Sequence, residues 1–184
     1  LSSSRPVDSL EDFQNLYIRT MESAVQSSYW SALGAVAMPL PFSELYFALQ
    51  QGTVAAQENP LYIVISARLY EVQQYLILTN HAPMVTNYVM NQEQYEALSP
   101  EHQELLLRFL QTVQEEELRR LPEEEASQLD QLAREFGMEI LTPSEELQAS
   151  MQAANAQALD PLRQELGAET VDRFLAAAAS AETD

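Results

Sequence analysis

Between Ser23 and Leu33, Ala24, Val25, Ser28, Tyr29 and Ala32 fall on one face of a 3.6-residue period, which predicts a helix. Gly34 follows as the residue that ends it. Short runs of β-formers predict strands at Leu16–Thr20, Val36–Leu40, Thr53–Gln57, Tyr75–Thr79 and Val85–Met90. Pro39 and Pro41 make the second of these an edge or a strand end. Ser43 reads as the N-cap of a helix over Glu44–Gln51 that stops at Gly52. Asn59-Pro60 opens a further helix over Leu61–Leu69 with Pro60 at its first position, although Ile63-Val64-Ile65 also suits a strand. Upstream, Leu1 to Asn15 is polar and contains a turn of helix over Ser9–Gln14, with Ser9 as cap and Asp12 at the third position. Asn15 suits positive φ before the first strand. Strand and helix alternate throughout this region, which predicts an α/β fold with a mainly parallel sheet.

The pattern changes at Ser99. Ser99-Pro100-Glu101 is a helix start, and Leu105, Leu106, Phe109, Leu110, Val113 and Leu118 continue one stripe. Pro122 lies inside this pattern and is expected to kink or break it. Gly137 ends the helix, Met138–Leu141 forms a last strand, and Ser144–Leu159 and Ala168–Ala179 form two closing helices. There is no internal repeat.

Charge narrows the function more than length does. The chain has 184 residues and 28 acids, and all nine of its Lys/Arg positions are Arg. A net charge of −19 opposes nucleic-acid binding and docking on anionic lipid. No apolar run approaches the ~20 residues of a membrane-spanning helix, so direct membrane insertion is not expected. Without Cys there are no disulfides, thiolate metal ligands or thiol nucleophiles. A start at Leu1, with neither Met nor a signal-sequence pattern, reads as a mature form or an internal fragment.

No catalytic signature stands out. There is no P-loop, G-x-S-x-G or H-E-x-x-H pattern, and the two histidines, His81 and His102, lack metal-ligand spacing. His102 reads as exposed in a first helical turn, and His81 as a residue that fixes a loop by hydrogen bonds. Arg19 is the informative cation, because a guanidinium grips a carboxylate through two parallel hydrogen bonds. It reads equally as a strand-end Arg paired with one of the acids. Asn59 reads equally as a helix N-cap, and Phe42 as a core residue. Taken alone, the residues describe an acidic α/β domain with an anion site as one option and an interaction or structural module without a ligand site as another.

Ordered motifs carry a resemblance. Ile18-Arg19-Thr20, Leu33-Gly34-Ala35, Pro39-Leu40-Pro41-Phe42-Ser43-Glu44-Leu45-Tyr46, Ala48-Leu49-Gln50-Gln51-Gly52 and Gln57-Glu58-Asn59-Pro60 come first. Tyr70-Glu71-Val72-Gln73-Gln74-Tyr75-Leu76 and Thr79-Asn80-His81 then follow in the same order. Together they resemble the solute-binding proteins of tripartite ATP-independent periplasmic (TRAP) transporters, of the dicarboxylate- and sialic-acid-binding type. The resemblance covers about Pro6 to Arg120. The chain departs from that family in carrying Val54-Ala55-Ala56 for the usual V-D-G, Tyr17 for a Lys, Asn15 for a Gly, and Pro122 within the later helix.

The resemblance implies the second lobe of a two-lobed, class II-like periplasmic binding protein, with the first lobe lying upstream of this sequence. It implies a second-lobe portion over residues 1–84. It also implies a strand and long helix returning to the first lobe over 85–124, and C-terminal elements packing back over 125–184. It places the ligand carboxylate on Arg19, a pocket wall at Phe42 and a ligand hydrogen bond at Asn59. The implied protein is not an enzyme and uses no cofactor or metal. It is a periplasmic monomer when full length, capturing a small organic acid for TRAP permease subunits.

Overall fold

The computed structural model describes residues 1–181, with side chains placed through residue 178. Six strands form one sheet: β1 (Ser2–Ser3), β2 (Tyr17–Thr20), β3 (Val36–Pro39), β4 (Ala56–Gln57), β5 (Tyr75–Ile77) and β6 (Glu139–Leu141). Their order is β3-β2-β4-β1-β5-β6. The β2–β3, β2–β4 and β5–β6 pairs are parallel, and β1 is antiparallel to both β4 and β5. The architecture is thus α/β with a mixed, mostly parallel sheet.

The sequence pattern misses β1. Two serines carry no apolar periodicity, yet both are fully buried, because the strand is hydrogen-bonded on each side. It joins two parallel blocks, β3-β2-β4 and β5-β6, that are not hydrogen-bonded to each other directly.

Each face of the sheet has its own core. On one face Ile18, Ala56 and Ile77 pack with Phe13, Trp30, Leu33, Leu147 and Met151. These come largely from α1 (Ala24–Ala32) and α6 (Glu145–Ala158). Trp30 is fully buried and stacks on Phe13 at 5.8 Å. On the other face Leu76 packs with Leu45, Leu49, Val64 and Leu132. These come from α2 (Phe42–Gln50), α3 (Leu61–Ser66) and a π-helical turn at Gln131–Glu135.

Asn15 has φ 58°, as the sequence implies. Gly34 has φ 93° and ends α1.

Four local expectations are corrected. The first is the start of α2, which lies at Phe42 with Pro41 in the N-cap position, and not at Ser43. Pro41 has φ −55°, and its carbonyl accepts from Glu44 N at 3.1 Å, so the turn forms before Ser43. The second concerns α3, whose N-cap is Pro60 and which carries no side-chain cap, so Asn59 does not cap it. That helix ends at Ser66 because Arg68 turns left-handed at φ 53° before a 3-10 turn at Leu69–Glu71.

The third correction concerns the strand over Val85–Met90, which is not formed. Val85 is 69% and Val89 91% exposed, and no described strand lies beside them to complete a ladder. A short helix, α4 (Gln92–Glu96), follows instead. The fourth is Pro122, which does not break α5 (Pro100–Asp130). A proline there removes the bond to the Leu118 carbonyl, and both positions face solvent, so water takes that acceptor. Downstream, Pro161 sits at the start of an additional helix, α7 (Asp160–Leu166), before α8 (Ala168–Ala181).

Gly34→Ala tests the α1–β3 turn. Its Cβ would collide with the side-chain amide of Gln14 and force an L-residue to φ 93°. A loss of about 1–2 kcal/mol is expected, read as a lower urea midpoint at unchanged slope.

Candidate functional site

The chemistry gathers at the carboxyl end of β2 and β4. Arg19 lies in register with Met38 of β3 and Gln57 of β4. Ile18 and Ala56 point into the first core, so Arg19 and Gln57 point together toward the opposite face. Parallel strands place a side-chain row there at their carboxyl ends, where the crossover connections leave a crevice.

Arg19 is only 3% exposed, yet its guanidinium is not consumed by the protein. Nε donates to the Leu40 carbonyl at 2.9 Å. Its carbon lies 5.9 Å from the Phe42 ring centroid, in cation–π range. Among the described residues, the two Nη groups have no hydrogen-bond or ion-pair partner, and neither is sealed from solvent without one. The nearest resolved electrostatic influence is Glu58. Burial pushes the Arg19 pKa down, and Glu58 pulls it back. Phe42 is half exposed, which the early start of α2 allows, so it forms a surface wall and not a core contact.

Glu58 is held by a different set of groups. Its Oε1 accepts from Gln26 Nε2 at 3.1 Å, and Gln26 Oε1 accepts from Met21 N at 3.0 Å. Its Oε2 lies 3.7 Å from His81 Nε2. Burial raises the Glu58 pKa, and the Leu1 ammonium, then Arg19 and the Gln26 hydrogen bond, oppose this. Burial pushes the His81 imidazole down to about 4. At neutral pH the Glu58–His81 contact is therefore a carboxyl group facing a neutral ring, not an ion pair. Thr79 Oγ1 lies 2.8 Å from Nδ1, and the ring stacks on Tyr29 at 5.5 Å and meets Trp30 edge-on at 4.9 Å. The reading of His81 as a loop-fixing residue matches its bond to Thr79; its place beside Glu58 was not legible.

Asn59 donates through Nδ2 to Gln57 Oε1 at 2.6 Å. Gln57 is fully buried and its Nε2 donates to Ser2 Oγ at 2.8 Å. Arg19 and Phe42 are thus in direct contact. Asn59 reaches the same edge through Gln57, the lateral neighbour of Arg19, with no hydrogen bond to Arg19 itself. Sequence reasoning missed Gln26, Gln57 and Glu58 as site components, although the run Gln57-Glu58-Asn59-Pro60 was the signal that contained two of them. Among the described residues no group of three or more His, Asp or Glu can hold a metal. A mixed groove of about 390 Å³ and an apolar-lined one of about 480 Å³ lie away from this edge, against α5.

The profile of a family described as bacterial extracellular solute-binding protein, family 7 (DctP), matches residues 1–165. The chain belongs to this family. It is 34% identical over 141 residues to the 2,3-diketo-L-gulonate-binding periplasmic protein YiaO of Escherichia coli (strain K12), a match covering 77% of this chain and 43% of that protein. Among solved structures, the periplasmic ectoine-binding protein of the TeaABC TRAP transporter from Halomonas elongata superposes with a TM-score of 0.81 at 31% identity, over 95% of this chain and 58% of that one. A TRAP periplasmic solute-binding protein from Desulfovibrio salexigens, solved with orotic acid, shares the fold with a TM-score of 0.89 at 24% identity, over 97% of this chain and 58% of that one. The chain spans roughly half the length of these proteins. These relatives are named as periplasmic binding proteins, two of them of the TRAP type, and no helix among the described residues is long and apolar enough to cross a membrane.

Keeping His81 neutral makes the site acid-sensitive. A histidine whose folded pKa is depressed from 6.5 to about 4 adds stability above pH 6.5 that is lost as pH falls through 4. The full effect is on the order of 3 kcal/mol. His81→Gln cannot take up that proton, so the stability gap between wild type and variant in urea melts is expected to narrow from pH 6.5 to pH 4. Parallel stability curves across that range count against a neutral buried imidazole.

Proposed function

We propose that this chain is the carboxylate-anchoring lobe of an extracytoplasmic receptor that captures a small organic acid and hands it to TRAP permease subunits. Arg19 clamps the carboxylate through its two Nη groups, Phe42 forms one wall, and Asn59 supplies a further hydrogen bond. The observation that carries this reading is a buried guanidinium tied down only through Nε, with its paired outer nitrogens left without a protein partner. That arrangement presents the fork geometry that suits a carboxylate. 2,3-Diketo-L-gulonate and ectoine, named for two relatives, both carry a carboxylate.

The receptor acts by binding and not by catalysis. Residues 1–84 and 125–184 form the ligand-holding lobe, and 85–124 contributes to a first lobe that closes over the site. The apolar exposure of Met84, Val85, Tyr88, Leu107 and Phe109 fits a segment that packs elsewhere in a longer chain. Closure excludes water and strengthens the Arg19–carboxylate pair. The full-length receptor is a monomer.

Arg19→Ala in the full-length receptor is expected to weaken carboxylate binding about 100-fold or more, from the loss of about 3 kcal/mol of charge-assisted hydrogen bonding. Arg19→Lys restores little of it, because an ammonium lacks the fork. Calorimetry against organic acids reads the change. Wild-type affinity in the Ala variant removes Arg19 from the site.

A further inference from the structure

We infer that Gln57 is a positioning residue that fixes the side-chain amide of Asn59 with its oxygen as the free acceptor. The site thereby selects carboxylates bearing a hydroxyl or amino donor on the first or second carbon beyond the carboxylate. This rests on the reading of Arg19 as the carboxylate anchor, and adds to it the direction in which the neighbouring amide faces.

The direction follows from a chain of hydrogen bonds that ends on a group able only to accept. Gln73 Nε2 donates to the Val72 carbonyl at 3.0 Å. A backbone carbonyl has no proton, so the Gln73 amide is oriented with nitrogen toward Val72 and Oε1 the other way. That oxygen accepts from Ser2 Oγ at 3.3 Å. The hydroxyl has one proton and has now spent it, so it must accept from Gln57, as it does from Nε2 at 2.8 Å. With its nitrogen so engaged, Gln57 offers Oε1 to Asn59, and Asn59 Nδ2 donates to it at 2.6 Å. Every amide along the path is assigned by its neighbour, and none can turn over without leaving two like groups face to face.

Ser2 and Gln57 are fully buried and Gln73 is 3% exposed, so water does not offer an easy alternative partner for a reversed amide. The chain crosses β4 and β1 and terminates on the segment leading into β5. Asn59, at its outer end, is half-buried. Its Oδ1 has no protein partner among the described residues and is not sealed from solvent.

Gln57 pairs with Arg19 across adjacent strands, and Asn59 is two residues further along. Neighbouring strands lie about 4.8 Å apart, and two extended residues advance about 7 Å. A carboxylate on Arg19 therefore places its first or second carbon substituent within side-chain reach of Asn59. An acceptor oxygen there rewards a donor and leaves a bare methylene or a second carboxylate poorly matched. Asn59 also keeps one N–H, which is compatible with the carboxylate itself.

The test measures selectivity by calorimetry on the full-length receptor. The probes are D-gluconate with its 2-deoxy and 3-deoxy analogues, and hexanoate with 2-hydroxyhexanoate, 2-aminohexanoate and adipate. Wild type is expected to prefer a donor-bearing acid over its deoxygenated partner by about tenfold or more. Gln57→Leu should bring that ratio toward one while binding of the deoxygenated acid persists. Ser2→Ala breaks the chain one link further in and should act in the same direction, which covers the case in which Gln57→Leu fails to fold. Asn59→Asp keeps an acceptor and should keep the preference although affinities fall. A merely structural loosening lowers both members of a pair and leaves the ratio alone. Equal affinity for paired acids in wild type, with Arg19→Ala still abolishing both, overturns this inference and spares the carboxylate anchor. No binding by any acid of the set overturns both.

Discussion

A row of buried polar side chains runs across one face of the sheet, and the rest of the structure is arranged to satisfy it. Arg19, Gln57 and Ser2 occupy neighbouring strands on that face, and each is 3% exposed or less. Burying such groups without partners costs several kcal/mol each by general estimates. The fold meets this with internal acceptors: the Leu40 carbonyl for Arg19 Nε, the Ser2 hydroxyl for Gln57, and the Gln73 amide for Ser2. No fully buried side-chain nitrogen or oxygen is left without a partner among the described residues. The groups that remain without protein partners, the Arg19 Nη pair and Asn59 Oδ1, reach solvent at one edge, where a ligand can approach.

Strand β1 is the element through which this satisfaction passes. Its backbone bonds on both sides close the sheet between β4 and β5, and the Ser2 hydroxyl links Gln57 to Gln73. Stability and site geometry therefore share one two-residue strand. Glu58 and His81 complete the picture on the other side of Gln57. His81 stands on the aromatic pair Tyr29 and Trp30, and burial shifts both His81 and Glu58 toward their neutral forms. Arg19 thus keeps its charge next to a carboxyl group held 3.7 Å from a neutral ring, without a close ion pair of its own. Arg68, Arg119, Arg120, Arg134 and Arg163 each pair with an acid three or four residues away, whereas Arg19 is buried without such a pair among the described residues.

The exposed apolar side chains of residues 84–90 and of α5 belong to a different part of the molecule. They line two grooves, but these grooves carry no convergent charge comparable to Arg19. The convergent polar chemistry lies elsewhere, at the ends of β2 and β4.

Local pattern alone determined the alternation of helices and short strands, the left-handed Asn15, the helix stop at Gly34, and the ordered motifs that carry Arg19, Phe42 and Asn59. These depend on neighbours within a few residues, so they are written in the local sequence. Tertiary structure decided the rest. Ser2–Ser3 became a strand only because two other strands flank it, and Val85–Met90 failed to become one because none does. Pro122 stayed within a helix because solvent takes the freed carbonyl. Asn59 left the helix cap because Gln57, fixed from across the sheet, offered a buried acceptor. Whether Arg19 pairs with an acid or stays available was also beyond the sequence: 28 acids give the same composition in either case, and only the packing of Leu40, Phe42 and Glu58 around the guanidinium selects between them.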